Sequence, residues 1–96
     1  MRSKSMRERF PGVYWSEDDR DKGPFVIRLG GTSEFVSNID PHDKMSWPPG
    51  RVDFVEGWEN SASLTYEEMD DAIKAASQVW DIEGFHTSVE ALGHFG

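Results

Sequence analysis

The stretch LTYEEMDDAIKAASQVWDIEG, residues 64–84, decides the fold. Met69, Ala72, Ile73, Ala76, Val79 and Trp80 recur at helical spacing and form one apolar stripe, with polar residues between them. Thr65 and Glu68 stand at the spacing of a capping box, and Leu64 and Met69 at the positions of its hydrophobic staple. Gly84 follows as a left-handed terminator, a conformation that costs glycine little. This pattern predicts a helix from about Tyr66 to about Ile82. A helix with a single apolar side must bury it against a second layer.

The flanking sequence supplies strands for that layer. Upstream, Val13-Tyr14-Trp15, Phe25 to Leu29, Ser33 to Ile39 and Arg51 to Trp58 each read as strands. Gly30-Gly31 separates the second and third, which predicts a tight type I′ hairpin. Pro41, Pro48 and Pro49 punctuate the loop before the fourth. Downstream, Phe85, Thr87, Val89 and Ala91 alternate with His86, Ser88 and Glu90, as in a half-buried strand whose polar side, His86 included, faces solvent. The expected fold class is α+β: an antiparallel β-meander of four to five strands with one helix packed on one face. Residues 1–9 lack apolar periodicity and read as a flexible basic arm. Residues 10–96 read as one small domain.

Charge is unevenly distributed. The net charge is −8, yet Arg2, Lys4, Arg7 and Arg9 all lie in the arm, opposed there only by Glu8. The remaining 17 acidic and 6 basic residues leave the body at −11. Such a body repels nucleic acid and anionic lipid and attracts basic proteins. No apolar run is long enough to span a bilayer, and no apolar segment follows the basic start to make a signal peptide. The absence of cysteine fits a reducing compartment, so a cytoplasmic location, including that of a bacterial host cell, is expected.

Motifs for catalysis or metal binding are missing. No serine lies in a nucleophile elbow, and Gly30-Gly31-Thr32-Ser33 lacks the lysine and the following helix of a phosphate loop. His42, His86 and His94 are not spaced as zinc ligands. The cluster Glu17-Asp18-Asp19-Arg20-Asp21 lacks the register of a calcium loop and reads as a solvated turn. The chain is therefore expected to be no enzyme and to need no cofactor or metal.

Two features point instead to a protein partner. Glu67, Asp70, Asp71 and Asp81 fall opposite the apolar stripe, with Gln78 and Lys74 among them, along a face about 20 Å long. Lys74 is placed to pair with Asp70 at i,i+4. Trp47, held extended before Pro48-Pro49, is a candidate binding anchor or, alternatively, a lid folded back over the core, while Trp80 belongs to the core stripe. The make-up resembles in type that of small phage-encoded accessory proteins, with no shared motif behind the likeness. Two functions are expected. One is a non-enzymatic acidic module or inhibitor that covers a basic surface of a nucleic-acid-handling partner. The other is a self-associating structural or assembly protein that uses Trp47 and the strand edges as contacts.

Overall fold

The structure, a computed structural model, describes residues 10–43, 50–57, 59 and 62–94. The basic arm and Trp47 lie outside these residues. Among the described residues the strands are β1 (Val13–Tyr14), β2 (Phe25–Leu29), β3 (Glu34–Asp40), β4 (Arg51–Glu56) and β5 (Thr87–Ala91). The helix α1 (Met69–Glu83) lies between β4 and β5 in the chain. The five strands form one sheet in the order β1-β5-β2-β3-β4, with α1 packed across one face. The α+β class is as the sequence indicates.

The sheet is mixed rather than wholly antiparallel, and it is not a simple meander. β5 inserts between β1 and β2, antiparallel to β2 and parallel to β1 through Val13↔Thr87 and Tyr14↔Ser88. Neighbouring strands in sequence usually pair. Here the ten-residue connection 15–24 carries the chain past β5, so β1 reaches the far edge.

β2 and β3 share only one ladder pair, Arg28↔Phe35. Below it the strands part, and residues 64–66 supply hydrogen bonds to both. Leu64 N–H donates to the Val36 carbonyl at 2.9 Å, while Phe25 and Tyr66 exchange a pair of backbone bonds at 2.7 and 2.9 Å. Those bonds need extended backbone at Tyr66, and they overrule the capping box. The N-cap is Glu68, in extended conformation and without a side-chain cap bond, so α1 starts at Met69 rather than Tyr66. The other end is as the sequence predicts: Gly84 is left-handed at φ 74°, and its N–H donates to the Trp80 carbonyl at 2.8 Å.

The hairpin also differs from expectation. Only Gly31 takes positive φ, and Thr32 N–H closes the turn onto the Leu29 carbonyl. A type I′ turn needs positive φ at both central residues, so that geometry is excluded.

Between helix and sheet lie Val13, Trp15, Phe25, Ile27, Val36, Val52, Val89 and Ala91, against Met69, Ala72, Ile73, Ala76 and Val79. Trp80 departs from the core assignment. Its ring is half-buried, lies over Gly12 and tilts against His86 at 5.2 Å between centroids.

Candidate functional site

Acidic residues dominate the surface, and the fold disposes of most of the positive charge among the described residues. Arg20 is held by Glu17 at 2.8 Å and by Asp70 at 2.6 Å. Hydrogen bonds to Glu17 and then Asp70 raise its pKa further above the ordinary guanidinium value. Lys22 pairs with Asp19, Arg28 with Glu90 and Arg51 with Asp53. The Asp53 hydrogen bond likewise raises the Arg51 pKa. Among the described residues Lys74 has no carboxylate partner, and Asp70 pairs with Arg20 instead.

The turn at residues 17–19 is therefore more than a solvated loop. Its 3₁₀ geometry buries Asp19, and Glu17 also accepts the Trp15 indole N–H at 2.7 Å. Through Arg20 it ties the chain after β1 to the first turn of α1. The arrangement joins two segments fifty residues apart, although an exposed ion pair of this kind contributes little stability.

The expected acidic face is reshaped by the late start of α1. Asp70 and Asp71 occupy its first turn and Asp81 its last, about 17 Å apart along the axis. Eleven residues bring Asp81 back to nearly the same angle as Asp70. Glu67 is exposed but lies before the helix, in the bend that follows Tyr66. Asp71 also acts on Tyr66, whose phenol pKa is raised by burial first and by the Asp71 charge second.

Sequence reasoning missed a second surface. Phe85 precedes β5 instead of starting it, and is 42% exposed. Its ring tilts against Phe54 of β4, with centroids 6.1 Å apart. The next residue, His86, instead stacks on Tyr14 of β1, at the opposite edge of the sheet from β4, with centroids 5.8 Å apart. These contacts join residues far apart in the chain, so no local pattern signals them. The residue types alone, Tyr14, Phe54, Phe85 and His86, were the available clue.

A shallow depression of about 280 Å³ lies between β1 and β5, lined by Tyr14, Trp15, Ser16, Asp19, Ser88, Val89 and Glu90. Its carboxylates are committed: Glu90 accepts from Arg28 and Ser88, and Asp19 pairs with Lys22. Among the described residues no group of three His, Cys, Asp or Glu side chains is placed to hold a metal ion. No helix among them is long and apolar enough to cross a membrane. Comparison with protein-family models, with curated proteins and with solved structures found no match.

Proposed function

We propose that the chain is a non-enzymatic, acidic protein-binding module that covers a basic surface of a nucleic-acid-handling partner. The observation that carries this reading is the pairing of the bases. Arg20, Lys22, Arg28 and Arg51 are each held by an acid of the same chain. Exposed acids such as Asp18, Asp21, Glu67, Asp71, Asp81 and Glu83 are left without a described basic partner. The field they project attracts and orients a positively charged surface, which acts mainly on the rate of encounter. The alternative, self-association through strand edges, has less support. The open edge strand β4 carries Arg51, Asp53 and Glu56, and charges on an edge discourage strand-to-strand pairing.

The test uses a lysine-rich peptide as a stand-in for the basic surface. Asp70 is left intact, because its loss would also release Arg20. Glu67→Gln, Asp71→Asn and Asp81→Asn together should lower the association rate at low salt and leave dissociation nearly unchanged. Raising the salt should remove most of the difference, since exposed charges are screened beyond about 8–10 Å at ordinary ionic strength. Helical circular dichroism should persist, as all three side chains are exposed. A triple variant that binds like the parent at low salt would sink the reading.

A further inference from the structure

Phe54 packs on the helix side of the sheet and so lies on that face of β4. Side chains two apart on a strand share a face, which puts Glu56 beside it, about 7 Å along. Glu34 stands directly opposite Glu56 in the β3–β4 ladder. Two like charges in that relation repel each other. Ser33 holds Glu56 in place through its hydroxyl, and Gly57 N–H donates to the Ser33 carbonyl at 2.9 Å. The second ring, Phe85, is delivered by the C-terminal end of α1. That last turn contains Asp81 and Glu83 and no base, although the helix dipole there favours positive charge.

Two unfavourable arrangements of negative charge thus adjoin, along the chain, a ring pair of which Phe85 is exposed and Phe54 half-buried. The described bases are elsewhere. Arg20 and Lys22 lie in the turn after β1, Lys74 is mid-helix, and Arg28 and Arg51 alternate onto the sheet face away from α1.

We infer that Phe85 and Phe54, with Glu34, Glu56 and Glu83, form a docking surface for an arginine side chain on a basic segment of a partner protein. This rests on the reading of the chain as a binder of basic proteins and specifies which residue that partner inserts. A guanidinium can lie over a ring face while its planar fork meets a carboxylate at the rim, and it loses less hydration than an ammonium. Arginine therefore fits this surface better than lysine, whereas the acidic face of α1 offers only charge.

The experiment titrates the whole chain, labelled with nitrogen-15, with an arginine-rich peptide and with a lysine-rich peptide of equal length and charge. Amide shifts should centre on residues 34, 54, 56 and 85, and the arginine peptide should bind more tightly. Phe85→Ala should weaken arginine-peptide binding about five-fold, and Phe85→Leu, which keeps the apolar bulk but removes the ring, should weaken it nearly as much. Because Phe85 is exposed, both variants should keep the parent helical signal. Equal binding of the two peptides, with shifts confined to Asp70, Asp71 and Asp81, would overturn the arginine surface and leave the charge-presenting module standing. Binding of neither peptide would overturn both readings. Shifts at Phe85 that persist in the triple variant while its association slows would support the arginine surface and leave the helix face as a steering field alone.

Discussion

Replacing Gly12 with alanine tests how the short strand β1 is held to the rest of the molecule. Gly12 has φ +80°, and an added Cβ would lie 2.2, 2.6 and 2.8 Å from the Cε3, Cδ2 and Cζ3 carbons of Trp80. Left-handed backbone costs an L-residue about 1–2 kcal/mol. Forcing the indole away adds an overpacking penalty of about 1–3 kcal/mol. The Gly12 carbonyl also accepts from Thr87 N–H at 2.9 Å, so displacement disturbs the one parallel pairing in the sheet. Gly12→Ala should therefore destabilise by about 2–5 kcal/mol. Gly84→Ala supplies the control. Its φ is nearly the same, +74°, but nothing lies within 4 Å of the added Cβ. The backbone penalties cancel in the difference, leaving about 1–3 kcal/mol for the ring contact. Urea melts of both variants, extrapolated linearly and compared only if the m-values agree, measure that difference. If Gly12→Ala is no more harmful than Gly84→Ala, Trp80 is not seated on Gly12, and the account of how β1 reaches the sheet edge fails.

Two further perturbations probe the core and its border. The Thr87 hydroxyl is buried without a hydrogen-bond partner among the described residues, so Thr87→Val should stabilise the fold by about 1 kcal/mol; a loss of stability in the same urea melts would mean the hydroxyl is satisfied. Burial and Asp71 raise the Tyr66 phenol pKa above its ordinary value of about 10, so its contribution to stability is complete below that pH and drains away as pH rises through the folded value. Tyr66→Phe should flatten that part of an alkaline stability profile, and an unchanged profile would refute the assignment.

Much of the fold was legible because it rests on local periodicity. The stripe from Met69 to Val79 is buried as its spacing requires, Gly84 ends the helix, and β2, β3 and β4 begin within a residue of the positions their composition suggests. What the sequence concealed depends on long-range pairing. Two residues, Val13 and Tyr14, carry no period that could reveal a parallel partner seventy residues later. The capping box at Thr65 and Glu68 is a sound local signal, overruled by two backbone bonds between Tyr66 and Phe25. A side-chain cap contributes about 1 kcal/mol. Leaving the Phe25 backbone groups unpaired inside the sheet would cost more, since each buried unsatisfied group forfeits about 1–3 kcal/mol.

That same competition explains why the candidate surfaces were only half visible. The acidic residues of α1 could be counted in advance, but their availability could not, because Arg20 reaches Asp70 from a turn fifty residues upstream. Starting the helix at Met69 also removes Glu67 from its face and leaves the early carboxylates, Asp70 and Asp71, where the dipole favours them. The later ones, Asp81 and Glu83, sit where it does not. An acid at a helix N-terminus can be explained by the stability of its own chain, whereas acids at the C-terminus beside an exposed ring cannot. If negative charge on this protein serves a partner, the helix end at Phe85 is thus the more informative place to look, and the relative effects of Phe85→Ala and the triple acid substitution will rank the two surfaces directly.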